Sequence, residues 1–200
     1  MNVDEIPVAF TPSGGWTGDM PPPVLAGCDT PLADGAVDMR GLWRVVRVTV
    51  DGEVQADHQM LGGVQRIEQA DDRVTITAGG VVHDMRCDGT EANGVHDVAE
   101  FDFTTPITVI ATYENAVHVL RPLGVPIEVT RQRDGEHLIW KYLTFTARLE
   151  RIGDTDASGD VADPRLVEDR PLEVVDPVLL AKVGSICFYS VTYRLFKLDA

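Results

Sequence analysis

Residues 41–52 read GLWRVVRVTVDG. Valine, threonine and tryptophan suit a pleated backbone, and Asp51-Gly52 accepts the positive φ of a tight hairpin turn. The same unit recurs along the chain. RVTIT (73–77) lies between Asp71-Asp72 and Gly79-Gly80, VVHDMRC (81–87) ends at Asp88-Gly89, and ITVIATYE (107–114) ends at Asn115. VPIEVTRQR (125–133) ends at Asp134-Gly135 and is followed by HLIWKYL (137–143) and TFTARLERI (144–152). Short strands at about ten-residue spacing, joined by such turns, make an antiparallel meander. With no helical period between the strands, the meander must stack as two sheets or close on itself, and closure removes exposed edges. The expected fold is all-β, an antiparallel up-and-down barrel over residues 41–152.

The flanks differ in composition. Residues 1–40 hold six of the twelve prolines, including Pro21-Pro22-Pro23, which bars a long helix or a central strand. They also hold Phe10, Trp16, Met20, Val24 and Leu25, so the expectation is an extended arm laid over the barrel rather than a disordered leader. Residues 153–176 begin with the acidic GDTDASGDVADP and form a linker. Asp176-Pro177 then reads as a helix N-cap and first position, PVLLAKVG as a short helix, and SICFYSVTYRLFKL as a last strand, with a continuing amphipathic helix as the alternative.

Charge narrows the function classes. Thirty-two acidic against seventeen basic residues give a net charge of -15. With no basic stripe, that surface repels nucleic acid and anionic lipid. Cys28, Cys87 and Cys187 are odd in number and widely spaced, which argues against a disulfide framework and a structural zinc site. The acidic start MNVDEIPVAF lacks the character of a signal peptide, and no uncharged run reaches the length of a membrane span, so a cytoplasmic location is expected.

Gly41-Leu42-Trp43 at the head of this run of strands resembles the calycins, the lipocalins and cytosolic fatty-acid-binding proteins. The resemblance implies a closed barrel around a small, largely apolar ligand, with Trp43 on the barrel floor beneath an arginine from a late strand. The matching arginine would be Arg148, which also resembles the last-strand arginine that meets a ligand carboxylate in fatty-acid-binding proteins. The tyrosine that should follow two residues on is replaced by Glu150, and alternation along TFTARLERI would itself turn Arg148 outward. The second lipocalin motif, a Thr-Asp-Tyr turn, is absent.

Two His-Asp pairs flank one turn, His83-Asp84 and His96-Asp97. Adjacent strand residues face opposite ways, so neither pair acts as a dyad. The apolar faces are Val81, His83, Met85 and Cys87 on one strand and Val95, Asp97, Ala99, Phe101 and Phe103 on the next, which brings His83 and Asp97 inside. The simplest hairpin register sets Met85 opposite Asp97 and makes His83 its diagonal neighbour. Such a pair would orient a ligand or move a proton, and otherwise it is a satisfied core pair. Tyr113, Trp140 and Tyr142 also fall on inward-facing positions, where core packing explains them equally well. Arg131 and Arg133 read as solvated rim charges. No cofactor motif or multi-histidine metal spacing is present, and a single interior histidine leaves haem ligation as a minor alternative. The leading expectation is therefore a barrel that binds a small apolar molecule through His83, Asp97, Tyr113, Trp140, Tyr142 and Arg148. The alternatives are a cofactor-independent isomerase, cyclase or lyase using His83 and Asp97 as catalytic residues, and a filled barrel whose aromatic tail (Phe188, Tyr189, Tyr193, Phe196) pairs as a homodimer.

Overall fold

The computed structural model describes residues 1–156; the expected C-terminal helix, last strand and aromatic tail lie outside the described residues. Eleven strands form one antiparallel sheet: β1 (Gly41–Val50), β2 (Glu53–Gln55), β3 (Val64–Ala70), β4 (Arg73–Ala78), β5 (Val81–Arg86), β6 (Val95–Val98), β7 (Pro106–Glu114), β8 (Val117–Pro122), β9 (Val129–Asp134), β10 (His137–Tyr142) and β11 (Phe145–Gly153). The spatial order is β5-β4-β3-β1-β11-β10-β9-β8-β7-β6, with the short β2 on β1. The first strand thus pairs with the last, and the curled sheet brings its two edges, β5 and β6, together. This is a nearly closed up-and-down barrel, as the spacing of strands and turns implies.

Gly41 shows why β1 can close the sheet. It sits at φ 140, and a Cβ there would lie 2.6 Å from Arg151 Nε of β11. Trp43 is fully buried two residues on, and its indole N–H donates to the Met39 carbonyl at 2.7 Å. The barrel interior is packed by inward residues such as Trp43, Ile67, Val74, Ala111, Leu138 and Leu149.

β2, β3 and β8 have no counterpart among the strands expected from sequence. β3, VQRIEQA, is buried at all seven positions, so it shows none of the apolar-polar alternation of a strand with one wet face. The arm causes this. Its residues Trp16 and Met20 pack on Leu42, Val64 and Val82 of the barrel's outer face. Arg66 Nη1 donates to the Pro21 carbonyl, and the Glu68 carboxylate accepts the backbone N–H groups of Val24 (3.0 Å) and Leu25 (2.7 Å). Burial pushes the Glu68 carboxyl above its ordinary range. The strand expected to run from Val95 to Phe103 stops at Val98, where the chain turns and Phe103 adopts φ 57. Phe103 then packs on Gly80, where an added Cβ would meet its ring at 2.8 Å.

Arg73 anchors the start of the arm. Its guanidinium donates to the carbonyls of Val3 (3.0 Å), Ile6 (2.7 Å) and Pro7 (2.8 Å), and pairs bidentately with Asp84 at 2.9 and 2.6 Å. Both partners are almost fully enclosed, with side-chain exposures of 4% and 2%. A pair this dry stabilises little against an apolar alternative, but removing one member strands the other charge. Asp84→Ala should therefore cost about 3–5 kcal/mol in urea unfolding and speed proteolysis within the first sixteen residues. Unchanged stability together with an unchanged cleavage rate would show that the pair does not hold the arm.

Candidate functional site

Inside the barrel, register places a row of polar and aromatic side chains at one level. Tyr113 of β7 pairs with His118 of β8, His118 with Arg131 of β9, Arg131 with Trp140 of β10, and Trp140 with Ala147 of β11. Directly opposite residues on neighbouring strands share a face, and Tyr113, Trp140 and Ala147 all pack in the interior cluster. The guanidinium of Arg131 lies over the Trp140 ring, 5.2 Å from its centroid. The Tyr113 and His118 rings are 5.8 Å apart, and Tyr142 and Phe145 continue the aromatic wall beside Trp140.

The hydrogen bonding of this row is incomplete. His118 is 0% exposed and Arg131 5%, yet both ring nitrogens of His118, Nη1 of Arg131 and Nε1 of Trp140 find no partner among the described residues. Arg131 Nε donates to the side-chain oxygen of Gln65 at 3.2 Å, a neutral acceptor. Buried polar groups are rarely left unsatisfied, and each such group costs free energy. Burial and the Arg131 charge drop the His118 pKa to about 3, so the ring is neutral at pH 7. Burial also lowers Arg131 to about 10, against the opposing charge of Glu100, and it remains a cation. Above the row, the Gln69 amide donates to the Tyr113 hydroxyl at 2.7 Å. Burial raises the Tyr113 phenol above its ordinary range and pushes the Cys87 thiol up to about 12, so that thiol reacts only when opening of the wall exposes it to water.

The residues expected from sequence fall in three groups. Tyr113, Trp140 and Tyr142 face the interior. His83 does too, since it pairs with the interior Ile76, but it is half-buried at the edge between β5 and β6. Its Nε2–H donates to the Val98 carbonyl at 3.1 Å, which sets the tautomer because a carbonyl only accepts. Burial lowers its pKa, and the Asp97 charge opposes that shift. Asp97 does not complete the expected dyad by a hydrogen bond: its Oδ2 accepts from Thr11 N (2.8 Å) and Thr11 Oγ1 (2.9 Å), and its Oδ1 from Val98 N (2.7 Å). The expected register fails because β5 and β6 splay beyond their turn, where Arg86 N meets Asn93 O at 2.8 Å.

Arg148 lies on the outer face, bonded to His137 Nδ1 at 2.9 Å, and does not line the interior. The arginine over Trp43 is instead Arg133, 4.9 Å from the ring centroid. Arg131 is therefore an enclosed cation-π partner rather than a solvated rim charge, whereas Arg133 stays half-buried at the rim, with its guanidinium over Trp43 and a donor on the Gly135 carbonyl. The sequence carried a signal for them, since they continue the inward alternation of Ile127 and Val129. His118 carried none, because VHVL is apolar on both faces. No group of three or more potential metal ligands occurs among the described residues. A single imidazole can serve as an axial ligand to haem iron, and His118 and His83 are the interior imidazoles that would have to provide it.

No family model matches the chain. Over 37 residues, 18% of this chain, it is 62% identical to an arsenite methyltransferase of Aquipseudomonas alcaligenes; the matched stretch spans only 11% of that relative's length. Among solved structures, human cRBP IV is similar at a TM-score of 0.44 and 12% identity, covering 58% of this chain and 99% of that one.

The buried neutral His118 makes stability depend on pH. The unfolded imidazole takes up a proton near pH 6.5 and the folded one only near pH 3, so stability is present above 6.5 and falls as pH drops through that window. From pH 7 to pH 5 the loss from this residue should be about 2 kcal/mol. His118→Leu should reduce that difference in urea-unfolding free energy by about the same amount. An identical pH dependence in both proteins would contradict a neutral, enclosed His118.

Proposed function

We propose that the barrel binds one small, largely apolar molecule whose anionic or hydrogen-bond-accepting group lies against Arg131, beside His118 and Trp140. The observation that carries this reading is the row of enclosed nitrogens that find no partner among the described residues, centred on a cation. A guanidinium over an aromatic ring keeps its N–H groups free for an acceptor in the ring plane's periphery. An acceptor there would satisfy Arg131 Nη1 and Trp140 Nε1 together. His118, neutral at pH 7, adds one donor and one acceptor and no competing charge. The remaining lining is aliphatic and aromatic, as in Val129, Leu138 and Tyr142. Contact with it contributes about 25 cal/mol per Å² before ordering costs. His83 and Asp97 belong to the wall at the β5–β6 edge, and their hydrogen bonds favour a structural use over proton transfer.

A matched pair of fluorescent probes tests this. 1-Anilinonaphthalene-8-sulfonate and the uncharged N-phenyl-1-naphthylamine share a ring system and differ in the anionic group. The protein should bind the sulfonate more tightly, with quenching of tryptophan fluorescence. Arg131→Met should weaken the sulfonate by about 10–100-fold, the range of a lost charge-assisted hydrogen bond, and the uncharged probe by much less. Equal losses for both probes, or no binding of either, would contradict the proposal.

A further inference from the structure

The barrel wall is weakest in hydrogen bonds along the edge between β5 and β6, and the N-terminal arm crosses it there. Val82 N, which in a continuous ladder would meet β6, donates instead to Thr11 Oγ1 at 3.0 Å. Thr11 N and Oγ1 in turn donate to Asp97 of β6 at 2.8 and 2.9 Å. Two residues earlier, Ala9 N donates to Asp84 of β5 at 2.9 Å. Thr11 therefore joins both edges of the sheet where they do not join each other.

Under this crossing lies a cleft of about 330 Å³, lined among others by Phe10, Asp84, Met85, His96 and Asp97. The cleft is lined by Asp84 and Met85 of β5 and by His96 and Asp97 of β6, so it runs along the seam between the two strands. Met85 belongs to the interior cluster, while Phe10 is 61% exposed on the outside. The stretch over the cleft is held at its ends, by Arg73 on the Ile6 and Pro7 carbonyls and by Trp16 N on the Gly80 carbonyl at 2.9 Å. Between those anchors it belongs to no strand.

We propose that this seam is the doorway to the barrel interior and that arm residues 8–11 are the bar across it, latched by Thr11 between Val82 and Asp97. The inference rests on the interior-binding reading for its purpose, not for its geometry. Opening requires the stretch between the two anchors to lift, breaking the Ala9 and Thr11 bonds while the Arg73 and Trp16 anchors stay in place. The binding row is then reached from the seam without disturbing the β1–β11 closure.

The test uses the full chain with Cys28→Ser and Cys187→Ser, so that the interior Cys87 is the one remaining thiol. Thr11→Val removes the hydroxyl that joins the two edges and keeps the shape of the side chain, Thr11→Ser keeps the hydroxyl, and Asp97→Ala removes the acceptor. In Thr11→Val and Asp97→Ala, maleimide labelling of Cys87 should accelerate by about tenfold, the scale of one or two lost hydrogen bonds. Association and dissociation of 1-anilinonaphthalene-8-sulfonate should quicken together, leaving its affinity nearly unchanged, and Thr11→Ser should behave as the parent. Faster labelling with an unchanged urea midpoint marks local opening and supports the latch, even if the probe fails to bind and the interior-binding reading falls. Labelling and probe exchange at parental rates in both variants would overturn the doorway while leaving a probe affinity that depends on Arg131 intact. Labelling that merely follows global stability would overturn it as well.

Discussion

A guanidinium enclosed by a barrel is the constraint around which this structure is arranged. Taking an ion out of water costs several kcal/mol even after relaxation, and the cost is recovered only through good partners. Arg131 has an aromatic face, a neutral amide and the field of Glu100, and one of its terminal nitrogens has no partner among the described residues. Its cross-strand neighbours on both sides, His118 and Trp140, likewise have nitrogens with no partner among the described residues. Three adjacent strands thus present unused hydrogen-bonding capacity at one level of an apolar interior. A core built only for stability would carry aliphatic side chains at these positions.

The rest of the molecule encloses that interior. β1 closes the barrel against β11, aided by the backbone freedom of Gly41. The arm covers the outside of β3, β4 and β5, where the charged side chains Arg66, Glu68, Arg73 and Asp84 take up several of its backbone polar groups. Among the described strands the ladder lapses between β5 and β6, and there side chains and the arm replace missing backbone bonds. His83 donates to Val98, and Thr11 spans from Val82 to Asp97. His83 and Asp97 thus bond to Val98 and Thr11 rather than to each other.

Much of the fold was legible in the sequence because turns and β-branched runs are local signals. Gly41-Leu42-Trp43, Asp51-Gly52 and Asp134-Gly135 mark their elements with little help from distant residues. β3 was not legible, since its charged residues are buried by an arm that lies more than forty residues away in the sequence for Arg66 and Pro21. The candidate site was legible only in part. Alternation alone turns Tyr113, Trp140 and Tyr142 inward. Arg131 obeys the same alternation, but a charge on an apolar face reads first as the end of that face. Arg148 shows the reverse error, because a family pattern drew it inside against its own strand's alternation. His118 could be placed only by the register of β8 against β7 and β9.

What lies beside Arg131 decides between a ligand-binding barrel and a filled one. A crystal structure of the protein purified from its own host, at a resolution that shows individual non-protein atoms, tests this directly. The account predicts density for a bound molecule in the barrel, with an acceptor atom about 2.7–3.1 Å from Arg131 Nη1. A structure in which Arg131 turns out to solvent, or in which neighbouring side chains fill the interior and satisfy all of its nitrogens, would contradict it.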